Sequence, residues 1–426
     1  MADEEKWVYK KSCRICDSTD LVKYFDFGRM PLVDSFIGAG EPGDIRVPLE
    51  VMFCQNCFHS QLSVVVDPKV LFFNYLYHSS VSTTYSLHCA AMARELKSLF
   101  RNRANREKLK SLDIASNDGC LLKEFKKEGY TVIGVDPAEN LCKIAEENGI
   151  ASIADFWGLD AAKKAVARVG KLDVITGTNV FAHVDDLHVF LDAVYYALSD
   201  EGVLVIEFPY LRNLIQDTEF DTIYHEHLSY FLVKPLLTLF SGHKMHITHL
   251  SDMDIHGGTI RVYAVKDGNT TIPIDVTLLQ KYVDREEKEG LHTLTPYFNL
   301  EKNAQRVRTD FLEKLRELEV QGKKVAGYGA SAKGNTFINY CHLDKSAISF
   351  IVDDTPHKQG RLYAGTRIPI VSREWLKKER PDYVVILPWN FKKEIMRRNE
   401  EYILGGGKFM VAIPKLEILS FDDKIK

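Results

Sequence analysis

The chain has 426 residues, too many for one ordinary domain, so two or three are expected. Hydrophobic residues make up 45% and charged residues 27%, the balance of a globular protein, and no run of 18 apolar residues offers a membrane-spanning helix. A net charge of −4 with a pI near 6.4 excludes a general attraction to nucleic acid or to an anionic membrane.

The N-terminus, Met1 to Lys6, is acidic and polar, unlike a signal peptide. Of eight cysteines, four fall in Cys-x-x-Cys pairs while Cys89, Cys120, Cys142 and Cys341 are scattered. That usage fits a reducing cytoplasm and a metal site better than a disulfide framework. Cys13/Cys16 and Cys54/Cys57 have the spacing of two zinc knuckles, which together complete a Cys₄ set. Such a site is closed, so the zinc is expected to be structural, and nearby His59 is surplus to it. The stretch between the pairs is rich in Gly and Pro with few long apolar runs, so metal is expected to supply stability there. The alternative, a redox Cys-x-x-Cys, does not explain two copies in one small module. This first domain is placed at residues 1–75.

Residues 76–270 alternate helices and strands: helix 90–100, strand 109–115, helix 121–129, strand 131–135, helix 141–148, strand 172–176, helix 187–198 and strand 203–208. An antiparallel pair, 245–250 with 258–265, closes the unit. Regular alternation predicts a parallel, doubly wound sheet. In the third region, 271–426, a charged helix at 301–322 precedes strands at 324–328, 348–352, 382–387 and 409–414, a second and smaller α/β domain.

Ligands of open α/β sheets bind beyond the carboxyl ends of the strands. The loop from Asp113 to Gly119 lies there, and it lacks the G-x-G-x-x-G dinucleotide fingerprint. Asp113 and Asp118 make it acidic, which suits the sulfonium and amino groups of S-adenosylmethionine better than a pyrophosphate. Asp136, followed by Pro137, ends the next strand and is placed to accept both ribose hydroxyls. Asp155 and Phe156, after a third short strand, are expected at the adenine. The other glycine-rich loop, Gly327 to Gly334, carries Ser331 and Lys333 and reads as an anion cradle able to hold a diphosphate. His357 and Lys358, beyond the strand that ends in Asp353 and Asp354, add positive charge from the same face. Tyr224, His225, Glu226 and His227 put four titratable side chains in a row, a composition suited to acid–base chemistry near neutral pH. A His-Glu-x-x-His zinc-protease reading fails because position 229 is Ser229.

Taken together, Asn117-Asp118-Gly119, Asn179-x-x-x-His183, Tyr224 to Phe231, Gly257 to Tyr263 and Gly327 to Asn335 resemble the nucleotide-sugar C-methyltransferases of branched-chain deoxysugar biosynthesis. The likeness spans nearly the whole chain. It implies an N-terminal zinc-binding domain, a central Rossmann-like methyltransferase domain and a C-terminal Rossmann-like domain that holds the sugar nucleotide. Ala115 and Asn179 join the cofactor loops on this likeness; many relatives carry Gly where this chain has Ala115. Ser331, Ala332, Lys333, Asn335, Asp353 and Lys358 are assigned to the nucleotide sugar. Carbon methylation next to a ketone needs a base, and His227 is expected to take the proton from C3 of a 4-keto hexose, with Glu226 and Tyr224 around it. His183 and Tyr77, with Tyr75 almost equal to it, are candidates to stabilise the enolate. His225 is expected to point away and bond to backbone, and His243, His246 and His249 to be packing or surface residues. Rival readings are an O- or N-methyltransferase, an RNA-modifying zinc-ribbon protein and a non-catalytic nucleotide sensor. No nucleic-acid or membrane partner is expected, and the protein is read as a monomer or weak homodimer.

Overall fold

The computed structural model describes residues 6–38, 41, 44–72, 78–81, 83–100, 108–255, 257–270 and 272–420. The N-terminal module is built from strands Trp7–Tyr9 (β1), Leu21–Pro31 (β2), Arg46–Cys54 (β3), Ser60–Leu62 (β4) and Val64–Val66 (β5). It has more core than its composition suggests. In β3, Val47, Leu49, Val51 and Phe53 alternate onto one buried face. Much of their partner surface comes from far along the chain: the Tyr24 ring meets Tyr297 at 5.0 Å, and Phe25 meets Tyr340 at 6.1 Å. A local reading cannot see such partners, which is why the module looked short of apolar contacts.

The central sheet comprises Lys110–Ile114 (β6), Thr131–Asp136 (β7), Ser152–Ala154 (β8), Leu172–Thr178 (β9) and Leu198–Pro209 (β10). A short strand, Ser229–Tyr230 (β11), leaves this unit, while Met245–Met253 (β12) and Thr259–Lys266 (β13) complete it. The order is β12-β13-β10-β9-β6-β7-β8, parallel from β10 to β8 and antiparallel at β13 and β12. The expected parallel core and closing antiparallel pair are both present. Three unforeseen helices, Leu159–Val169, Val233–Gly242 and Val276–Lys288, cover its faces, and the first buries an alanine stripe of Ala161, Ala162 and Ala165.

The helix expected at 301–322 is longer, Thr295–Val320, with Pro296 in its first turn. The last sheet contains Val325–Tyr328 (β14), Ile351–Val352 (β15), Ile370–Val371 (β16), Tyr383–Ile386 (β17), Lys408–Val411 (β18) and Glu417–Leu419 (β19). Its order is β16-β15-β14-β17-β18-β19, parallel except for β19. No described helix is long and apolar enough to cross a membrane.

One connection matters most for the site. β11 pairs antiparallel with β4, giving the N-terminal sheet the order β11-β4-β3-β2. The segment just before β11, Tyr224 to His227, is thereby stitched to the cysteine-bearing module through Leu62 N–H to Leu228 O at 3.0 Å and His59 to Ser229 Oγ at 3.1 Å.

Candidate active site

The sulfur atoms of Cys13, Cys16, Cys54 and Cys57 lie within 4.8 Å of one another. Each knuckle turns back through a left-handed residue, Asp17 at φ 55 and Phe58 at φ 68. Phe58 N–H to Cys54 O at 2.9 Å and Asp17 N–H to Cys13 O at 3.1 Å close the turns. Four soft ligands so converged fit one tetrahedral zinc ion. His59 is fully buried and its ring is bonded to Ser229, outside the cluster of four sulfur atoms; burial pushes its pKa down to about 3.

A cavity of about 510 Å³ lies where the three regions meet. On the central-domain side it is lined by Asp113, Ala115, Asn117, Asp136, Pro137, Phe156 and Asn179. Burial pushes the Asp113 carboxyl up to about 7 although Thr176 Oγ1 donates to it at 2.7 Å. Asp136 accepts from Asn117 N–H and from Ala138 N–H, both at 2.8 Å. Each of its oxygens keeps a lone pair, so a ribose hydroxyl can still be accepted. Three expected residues do not line the cavity. Asp118 turns back to accept from Ser80 N–H at 3.1 Å, and Gly119, at φ 80, turns the chain into the helix Cys120–Lys127. Asp155 pairs with Lys164 at 2.6 Å on the surface, leaving Phe156 and Trp157 to face the cavity. An acidic, part-apolar wall of this kind fits an adenosyl group bearing a cation.

The catalytic candidates converge on the same space: His183, Tyr224, Glu226 and His227 all line it. Tyr75 and Tyr77 lie outside the described residues. Tyr224 to His227 form a tight turn, closed by His227 N–H to Tyr224 O at 2.9 Å. His227 Nδ1 lies 2.8 Å from Thr222 O, which can only accept, so the ring proton sits on Nδ1. Nε2 is therefore the basic nitrogen, and the Tyr224 hydroxyl donates to it at 2.9 Å. Burial, then His183 and Lys333, lower the His227 pKa well below its ordinary value, so the ring is neutral. His183 is pushed down to about 4 by burial. Glu226 makes no hydrogen bond among the described residues; His183 Nδ1 lies 3.9 Å from its carboxyl. His225 points away and bonds to Val47 O and Pro48 O, as expected, though a turn rather than an extended chain aims it there. His243 bonds to Asp192 and His246 to Asp267, away from the cavity.

From the C-terminal domain, Ser331, Ala332, Lys333 and Lys358 line the cavity. Ser331 Oγ caps its helix by accepting from Gly334 N–H at 3.1 Å, and Lys333 Nζ sits 4.7 Å above the Trp389 ring. Asn335 and Asp353 do not reach the space. Asn335 donates to Ala364 O, and Asp353 accepts from Ala330 N–H and Thr355 N–H, bracing the loop. Sequence reasoning missed Asp34, Phe36, Trp157, Thr222, Pro388 and Phe391, all of which line the cavity. No motif flags them; only the packing of three regions brings them in.

Residues 13–72 match the family described as "Putative zinc binding domain", residues 87–243 the methyltransferase domain family and residues 254–414 the C-methyltransferase C-terminal domain family. The chain is 33% identical over 418 residues to the C-methyltransferase NovU of Streptomyces niveus, covering 97% of this chain and 98% of that one. A ubiquinone biosynthesis O-methyltransferase of Bartonella quintana (strain Toulouse) is 31% identical over 101 residues, 24% of this chain and 41% of that one. Among solved structures, the plantazolicin methyltransferase BpumL with SAH aligns at a TM-score of 0.34 and 15% identity, covering 42% of this chain and 83% of that one.

Proposed function

Because this chain belongs to the C-methyltransferase family and is an S-adenosylmethionine-dependent enzyme with an N-terminal structural zinc site, we propose that its acceptor is a carbon beside the ketone of a 4-keto, nucleotide-linked deoxysugar. C3 is the assigned position; C5 flanks the same ketone and is activated by the same chemistry. The observation that carries this reading is the His227 ring, with its proton committed to Thr222 O and its basic Nε2 turned to Tyr224 at the cavity.

In this reading the sugar displaces the Tyr224 hydroxyl from Nε2, and His227 removes the proton from the carbon. His183 and the Tyr224 hydroxyl stand beside the developing enolate oxygen, and Asp113, Asn117, Asp136, Asn179 and Phe156 hold the cofactor. S-adenosylmethionine supplies the electrophilic methyl group. Lys333, Ser331 and Lys358 face the sugar's diphosphate with charge and hydroxyl donors. The buried wall excludes water, which favours a step in which opposite charges cancel.

The test is incubation with S-adenosylmethionine and a panel of 4-keto nucleotide sugars in deuterated water, with mass spectrometry and NMR locating methyl gain and hydrogen exchange. Methylation, or exchange at C3 or C5 that disappears in His227→Asn, supports the reading. Neither signal from any sugar, with cofactor still bound, overturns it.

A further inference from the structure

The wall of the cavity opposite the cofactor loops is not made only by the two α/β units. After β2 ends at Pro31, the chain runs through the buried Leu32 and Val33 and turns at Asp34, whose φ is 55. Ile37 then makes an antiparallel bridge to Leu362, with hydrogen bonds of 3.0 and 2.8 Å. Phe36 stacks on Tyr363 at 6.5 Å, and Arg361 Nη1 donates to Phe36 O. Asp34 is thus clamped between the cysteine-bearing module and the C-terminal domain, and it lines the same cavity as Glu226.

Neither carboxylate makes a hydrogen bond to a described residue. Lys358, the nearest cation to Asp34, is committed to Ala330 O at 2.8 Å and lies 4.0 Å from Asp353. Glu226 is 3% exposed and faces the cavity without a donor among the described residues. Two acceptors in one enclosed space, with no donor for either among the described residues, suit donors from the bound molecule.

We propose that Asp34 is a specificity-determining residue which, with Glu226, forms a carboxylate pair that grips a hydroxyl or amino donor on the sugar beside the reacting carbon. This rests on the 4-keto sugar reading above. Burial pushes both carboxyls upward; Asp34 adds to the effect on Glu226, while at Asp34 Lys358 opposes it and Asp353 adds to it. With one of the two carboxyls protonated, the pair offers an acceptor and a donor together. Other titratable groups lining this cavity include Asp113, Asp136, His183, Tyr224, His227 and Lys333.

The test compares wild type with Asp34→Ala and Asp34→Asn on a 4-keto sugar bearing the neighbouring donor and on its deoxy analogue. For the donor-bearing sugar, KM is expected to rise about 10- to 100-fold in Asp34→Ala, the value of a hydrogen bond to a charged group. For the deoxy analogue it should change by less than about threefold, because the interaction is already absent. An equal rise with both sugars, or none with either, overturns the proposal. Zinc content and cofactor affinity report folding, and Asp34→Asn serves if the alanine variant does not fold. A substrate-independent arm uses NMR of ¹³C-labelled glutamate side chains, with Glu226 assigned through Glu226→Gln. The Glu226 titration should move downward in Asp34→Asn; an unmoved titration overturns the pair. If wild type methylates no 4-keto sugar, the substrate reading falls and the NMR arm alone decides the pair.

Discussion

Two loops of this chain have the same backbone plan and opposite chemistry. After β6 and after β14 the chain leaves a parallel strand, turns through a left-handed glycine (Gly119 at φ 80, Gly329 at φ 86) and enters a helix. At Gly329 a Cβ would lie 2.5 Å from Pro388 Cδ, so no other residue fits. In both, an aspartate at the end of the next strand braces the loop. Asp136 accepts from Asn117 N–H and Asp353 from Ala330 N–H, each at 2.8 Å. The difference lies in what is added. Asp113 and Asp136 face the cavity from the first loop, whereas Lys333 and Lys358 face it from the second, with Asp353 hidden behind Lys358. Topology supplies the cradle in each case, and side-chain charge is what the proposed division, a sulfonium cation at the first and a phosphate anion at the second, rests on.

The largest expected effect lies between the loops. His227→Asn should lower turnover about 10²–10⁴-fold, the contribution of one placed base, while calorimetric cofactor affinity stays unchanged. A variant of near-normal turnover would remove His227 as the base. Next come the two bracing aspartates. Asp136→Ala should weaken S-adenosylmethionine about 10- to 100-fold, because it loses the brace and the ribose acceptor together. Asp353→Ala should leave that affinity alone and act on the second loop; equal effects on the cofactor would erase the distinction between them.

The charge contrast is sharpened by Lys333→Met, for which nucleotide-sugar affinity should fall about tenfold with cofactor affinity unaltered. Its counterpart is pH. Asp113, held at about 7 by burial, must be ionised to favour a cation, so protons compete with the cofactor below that value. Affinity should therefore rise about tenfold from pH 6 to pH 8, with proton release on binding at pH 6, measurable by calorimetry in buffers of different ionisation heat. Proton uptake instead would take Asp113 out of contact with the cofactor. The smallest effect belongs to Ala115, which holds φ 55 in the first loop. Ala115→Gly should relieve that strain and raise stability by at most about 1 kcal/mol in denaturant titrations.

Much of this was legible in the residues themselves. The four cysteines announce their site through spacing, since a two-residue gap turns both thiols to one side. Alternating strands and helices announce the doubly wound sheets, and the ends of β6, β7 and β14 locate the ligand loops. The Tyr224–His227 cluster stands out by composition, because ionisable groups rarely gather in a core. The failures are equally physical. Asp118, Asp155, Asn335 and Asp353 have the right chemistry at the right strand ends, but each satisfies a backbone N–H, a lysine or a carbonyl instead of facing the cavity.

What the sequence determined, then, is whatever depends on local periodicity and residue chemistry: the zinc knuckles, the alternation of strands and helices that makes the sheets parallel, and the charge of each loop. What only the tertiary structure decided is which of those groups share one space. The proton on His227 is placed by a carbonyl five residues away, and Asp34 arrives through a bridge between Ile37 and Leu362. The first contact depends on the fold of one buried turn and the second joins segments distant in the chain; in both, burial and partner geometry, rather than a residue pattern, set protonation and direction.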